Sequence, residues 1–253
     1  MTGKNVNIPV GGTTMPAYVA HPPEGSGPHP AVIVLQEIYG INSEMQRIAD
    51  LVASIGYVGL VINVYHRHDP DFQAAYTPEG SQKGLAAAAT ITRESIRADV
   101  AASMDWLSAQ PYVRAGKIAT WGFCLGGAMA FVSASLPGLS GAIVFYGSQI
   151  VRAFPSGEVE GLADAGKVAC PLLIVFGGDD ASTPPEQVAR VKQTLEAAGK
   201  EAHVQVYSNV GHAFFRSSAS SASGHASSDQ ALGEASADAW NQVQAFLRRI
   251  FSA

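Results

Sequence analysis

The chain of 253 residues has little cysteine, little charge and no long apolar run. Its two cysteines, Cys124 and Cys170, form no CxxC pair, which excludes a disulfide framework and a cysteine-rich zinc site but leaves room for one disulfide. No stretch of about 18 apolar residues occurs, so no membrane span is expected. The opening MTGKNVNIPVGGTTMPAYVA carries one early lysine and no apolar segment ahead of a cleavage-like site, and it does not read as a secretory leader. Charged residues are 15% of the chain and the net charge is −5, so the basic footprint of a nucleic-acid binder is missing. No internal repeat and no dividing linker is visible. These absences lead to the expectation of a cytoplasmic monomer with reduced thiols, taking a small molecule rather than nucleic acid or membrane.

What is present is a 47% hydrophobic composition, enough for a large core. Residues 5–10 and 15–21 alternate and read as a hairpin around Gly11-Gly12. Residues 21–30 are a Pro- and Gly-rich loop. The short apolar runs 31–36, 58–64, 118–123, 141–146, 172–176 and 203–207 suit strands buried on both faces of a parallel sheet. Between them, 43–55, 91–108, 126–136, 185–198 and 235–250 carry helical spacing, with Ser43 as the N-cap of the first. Residues 66–84 read as polar and turn-rich, and 217–229 as a mobile Ser/Ala-rich loop. Strand and helix alternate from residue 31 onward, which predicts an α/β fold: one domain over 1–253, a mostly parallel central sheet, helices on both faces.

Chemistry concentrates at Gly122-Phe123-Cys124-Leu125-Gly126, a G-x-nucleophile-x-G pattern between a predicted strand and a predicted helix. A nucleophile on a strained strand-to-helix turn needs small neighbours, and the helix N-terminus behind it favours a developing oxyanion or a thiolate. A cysteine taken alone is more often a small buried hydrophobe. The strand–turn–helix context favours the nucleophile for Cys124, whereas Cys170, ahead of Pro171 at a strand start, reads as structural.

A nucleophile, acid, base order predicts an acid after a later strand and a base in a C-terminal loop. Gly177-Gly178-Asp179-Asp180 offers two adjacent aspartates, and Gly211-His212 offers the base. His212 would shuttle the thiol proton, and an aspartate would hold its tautomer. The backbone N–H groups of Leu125 and Ile38 are the expected oxyanion donors. His66 and His68 flank Arg67 without a matching carboxylate or histidine set, so no metal is expected, and no cofactor motif is present.

The motifs Gln36-Glu37-Ile38-Tyr39-Gly40, Gly122-Phe123-Cys124-Leu125-Gly126-Gly127, Phe145-Tyr146-Gly147, Gly177-Gly178-Asp179-Asp180 and Gly211-His212-Ala213-Phe214-Phe215-Arg216, in this order over 36–216, resemble the dienelactone hydrolase family (carboxymethylenebutenolidases). Asp238-Ala239-Trp240 suits that family's final helix. The resemblance implies an α/β-hydrolase fold and hydrolysis of a small carboxylate-bearing lactone or ester through an acyl-thioester. It implies Asp180 as the acid, Glu37 in contact with the resting nucleophile and helping to activate it, Arg216 as the binder of the substrate carboxylate and Tyr146 as a pocket-lining residue. One departure stands out: residues 76–92, YTPEGSQKGLAAAATIT, lack the second substrate-binding arginine of members that act on dienelactone, and Lys83 is the only cation there. Two other readings compete, a carboxylesterase or thioesterase for neutral acyl groups and a non-catalytic binding protein on the same scaffold. The intact Cys/Asp/His order argues against the last.

Overall fold

The computed structural model describes residues 2–23, 25–217 and 229–252. The chain opens on β1 (Thr2–Val10) and β2 (Thr13–His21), an antiparallel hairpin turned by Gly11 and Gly12 at φ 53° and 83°. The alternating part follows as β3 (His29–Leu35), α1 (Ser43–Ser54), β4 (Val58–Ile62), α2 (Pro78–Ala88), α3 (Arg93–Ser108) and β5 (Val113–Phe123). It continues through α4 (Leu125–Ser133), β6 (Leu139–Phe145), β7 (Leu172–Gly177), α5 (Pro185–Ala197), β8 (Ala202–Tyr207) and α6 (Asp229–Ser252).

Among the described residues eight strands join one sheet in the order β1-β2-β4-β3-β5-β6-β7-β8. The hairpin pairs antiparallel onto β4, and every pairing from β4 to β8 is parallel. β3 lies inside the sheet between β4 and β5, and residues 31–35 have no exposed surface. Ala31, Ile33 and Leu35 enter the core shared with α3, α4 and α5, while Val32 and Val34 enter the one shared with α1 and α6. This two-residue period is why a strand covered on both faces reads as an unbroken apolar run. Each such Val, Leu or Ile contributes about 1.5–3 kcal/mol by leaving water.

Three local expectations shift. Asn42, not Ser43, caps α1: its side chain accepts the Met45 N–H at 3.1 Å, and Ser43 is already helical. The segment 66–84, expected to be turns, contains most of α2. Thr77 caps this helix by accepting the Gly80 N–H at 3.0 Å, with Pro78 in its first turn, the position where a missing N–H costs nothing. α2 has no apolar stripe because it packs by close approach: a methyl group on Gly84 would meet the Ile38 carbonyl oxygen at 2.5 Å. Finally, α6 starts at Asp229, and most of the expected 217–229 loop lies outside the described residues. Among the described residues no helix is long and apolar enough to cross a membrane.

Candidate active site

The residues singled out in the sequence follow the C-terminal ends of successive strands: Glu37 and Ile38 after β3, Cys124 after β5, Tyr146 after β6, Asp180 after β7, and His212 and Arg216 after β8. This is the edge at which open α/β sheets bind ligands. Cys124 is the corner between β5 and α4, at φ 55° and ψ −118°. Such a conformation costs a non-glycine residue of the order of 1–3 kcal/mol and persists only where packing enforces it. Here Gly122 and Gly126 permit it. A methyl group on Gly122 would collide with the Gly126 carbonyl, and one on Gly126 with the Leu35 carbonyl. The start of α4 is thereby pressed against the end of β3, which brings Leu125 to the loop of Ile38. Neither the Leu125 N–H nor the Ile38 N–H donates to another group among the described residues. Tyr65 donates to the Ile38 carbonyl at 3.2 Å and so holds this loop.

His212 donates from Nδ1 to Asp180 Oδ2 at 2.7 Å. The two adjacent aspartates are separated by burial: Asp179 is exposed, while the Asp180 side chain is 1% exposed. Burial alone would raise the Asp180 pKa, but the bond from His212 and two bonds from Ser182 outweigh it and hold the carboxyl below the usual range. For His212, burial pushes the pKa down. The charge of the Cys124 sulfur beside it, the bond to Asp180 and a hydrogen bond with Cys124 overcome that penalty and raise it to about 10. Tyr146, itself at φ 42° and 1% exposed, packs edge-on against the His212 ring at 5.2 Å. Burial, followed by the Glu37 charge, raises its phenol well above the ordinary range.

Glu37 and Arg216, 179 residues apart, form a second buried constellation. Arg216 donates Nε to both carboxylate oxygens at 3.0 and 3.1 Å and Nη2 to Oε1 at 2.9 Å. Tyr76 donates to the same carboxylate at 2.8 Å. The guanidinium lies over the Tyr76 ring at 4.2 Å and the Tyr39 ring at 5.5 Å. The hydrogen bonds of Glu37 thus run to Arg216 and Tyr76 rather than to Cys124, which departs from the contact that the resemblance implies. A charge-assisted bidentate pair is a stronger partner for a carboxylate than a thiol. Tyr76 and Ser182 carry no pattern that singles them out in the sequence, because their roles depend on chain segments that meet only in the fold. Lys83, the lone cation of residues 76–92, is exposed on α2 and makes no ion pair among the described residues.

The residues set aside earlier stay apart from this cluster. Cys170 is 8% exposed, and burial pushes its thiol up to about 12. His66 is buried and occupied: Nε2 meets Asp99 Oδ1 at 3.2 Å and Nδ1 meets the Thr13 hydroxyl at 3.2 Å. Among the described residues no three His, Cys, Asp or Glu side chains gather as a metal site.

A mostly parallel sheet flanked by helices, with a strained residue at the β5–α4 corner and an acid–imidazole pair after β7 and β8, defines an α/β hydrolase. Within that class the chain belongs to the dienelactone hydrolase family, whose profile matches residues 15–251. A Synechocystis protein described as "Putative carboxymethylenebutenolidase" is 30% identical over 94% of this chain and 93% of its own. An Escherichia coli protein of the same description is 32% identical over 82% and 76%. The crystal structure of a "Putative Dienelactone Hydrolase" from Klebsiella pneumoniae superposes with a TM-score of 0.83 at 28% identity, covering 98% of both chains. The chain is therefore a hydrolase of the dienelactone hydrolase type.

Proposed function

We propose that this hydrolase cleaves a small carboxylate-bearing lactone or ester through an acyl-thioester on Cys124, with His212 as proton shuttle and Asp180 as its orienting acid. The observation that carries the reading is the strained Cys124 set beside an imidazole whose Nδ1–H is held by a buried carboxylate at 2.7 Å. With Nδ1 engaged, Nε2 is the nitrogen left for the thiol. The Cys124 proton passes to His212, and the thiolate attacks the carbonyl carbon, forming the C–S bond. The resulting oxyanion takes the free N–H groups of Leu125 and Ile38. Collapse breaks the C–O bond, and the leaving oxygen receives the imidazolium proton. Water then gives a proton to His212 as its oxygen adds to the thioester carbon. The C–S bond breaks, and the returning thiolate restores the pair with imidazolium.

Arg216 supplies a forked cation for the substrate carboxylate. A second reading, a neutral ester as substrate, is favoured by one specific observation: Nε and Nη2 of Arg216 already serve Glu37. A panel of dienelactones and p-nitrophenyl esters separates the two. Arg216→Ala should cost roughly 100-fold in kcat/KM on the anionic lactone and far less on the neutral ester. Equal losses would remove the carboxylate-binding role. Full activity in Cys124→Ala would sink the catalytic reading as a whole.

A further inference from the structure

The buried Asp180 side chain cannot rely on water to satisfy or orient its carboxylate, so its protein partners decide how it sits. Oδ2 accepts from His212. Oδ1 accepts twice from one residue, Ser182: its N–H at 2.8 Å, in an Asx-type turn, and its hydroxyl at 2.5 Å. The same hydroxyl oxygen is 3.4 Å from His212 Nδ1, so it stands beside both members of the pair. The neighbouring hydroxyl, on Thr183, is buried without a hydrogen-bond partner among the described residues and gives Asp180 nothing. The backbone bond alone leaves the carboxylate able to turn about its last torsion, and a turned carboxylate would lose the straight Nδ1–H bond. The hydroxyl at 2.5 Å blocks that rotation.

We infer that Ser182 is a positioning residue, its hydroxyl locking the Asp180 carboxylate in the orientation that the His212 imidazole needs. The inference rests on the proposed roles of Cys124, His212 and Asp180, and it concerns how well they work, not which groups react. A locked acceptor stabilises the imidazolium, and a loosened one stabilises it less.

The test compares wild type, Ser182→Ala, Ser182→Gly and Ser182→Thr by steady-state kinetics and by the rate of iodoacetamide alkylation of Cys124 against pH. Alkylation needs no substrate, and the buried Cys170 thiol contributes little to it. Ser182→Ala and Ser182→Gly should each lower kcat roughly tenfold, as expected for one charge-assisted hydrogen bond, with KM within about twofold. Both should move the alkaline limb of the kinetic profile, where the imidazolium is lost, to lower pH, and should slow alkylation at neutral pH, where a less stabilised imidazolium leaves less thiolate. Ser182→Thr, which keeps a hydroxyl, should restore both. A limb that stays in place with kcat unchanged overturns the inference. So does an alkaline kinetic limb that moves to higher pH, because the hydroxyl would then only be drawing charge from Asp180. If Cys124→Ala is inactive while Ser182→Ala matches wild type, only the Ser182 role falls. If Cys124→Ala is active, the catalytic reading itself falls.

Discussion

Two regions of this molecule string a carboxylate, an imidazole and a small nucleophile-type side chain together. One is Asp180, His212 and Cys124. The other is Asp99, His66 and Thr13. In the second, the His66 side chain is fully buried, Asp99 is shared with Arg67 at 2.7 Å, and the Thr13 hydroxyl donates to the Val10 carbonyl at 2.9 Å. Every group is spent on tying the β1–β2 hairpin and the loop after β4 to α3. In the first, His212 keeps 22% of its side chain exposed, and among the described residues Asp180 pairs with no arginine and Cys124 sits at positive φ beside unpartnered N–H groups. The same chain of groups has its charges cancelled in one place and left uncancelled in the other, and the proposed chemistry belongs to the second kind. An acid–base–nucleophile string in a sequence or a structure is thus only half of a site; the strained corner and the unspent donors supply the rest.

The contrast breaks most sharply on the proposed nucleophile and its counterpart in the other string. Cys124→Ala is expected to lower hydrolysis by on the order of 10³-fold or more, while Thr13→Val leaves kcat within about twofold; initial rates on one lactone decide it. Next come the two acids. Asp180→Asn should cost about 10³-fold in kcat because an amide no longer holds the right tautomer. Asp99→Asn should leave kcat alone and cost about 2 kcal/mol in a denaturant melt. That loss is moderate because Arg67, 30% exposed, can turn to water.

Titration sharpens the comparison further. The folded His212 pKa, about 10, lies above the ordinary histidine value, so its stabilisation is complete below that ordinary value and disappears as pH rises through about 10. The alkaline limb of kcat/KM should fall there. In Cys124→Ala the sulfur's charge, the largest raising influence, is gone, and the imidazole titration followed by NMR should move toward the ordinary range. Asp180 runs the opposite way: its contribution is present above the usual carboxylate range and is lost as pH falls through its depressed value. The smallest effect belongs to His66→Gln, where a loss of about 1–2 kcal/mol with unchanged kcat is expected from thermal melts and rates. A drop in kcat there would erase the distinction between the two strings.

Much of the site is legible in the sequence because its constraints are local. A residue held at φ 55° between a strand and a helix needs glycines on both sides, and that need is written in five consecutive letters around Cys124. The strands are legible because burial on both faces demands unbroken apolar runs. α2 was hidden because it packs through Gly80 and Gly84 against backbone and so presents no apolar period. The partners of Glu37 were hidden for another reason: a carboxylate near an arginine 179 residues away leaves no mark on either segment.

The chain by itself determined an α/β architecture, the family to which it belongs, and the order of Cys124, Asp180 and His212, since each follows from period, turn chemistry or motif. Only the tertiary structure decided that Arg216 is held by Glu37 and Tyr76 and that Ser182 grips the far oxygen of Asp180. Those are choices among contacts, and contacts depend on distances that a linear string does not contain.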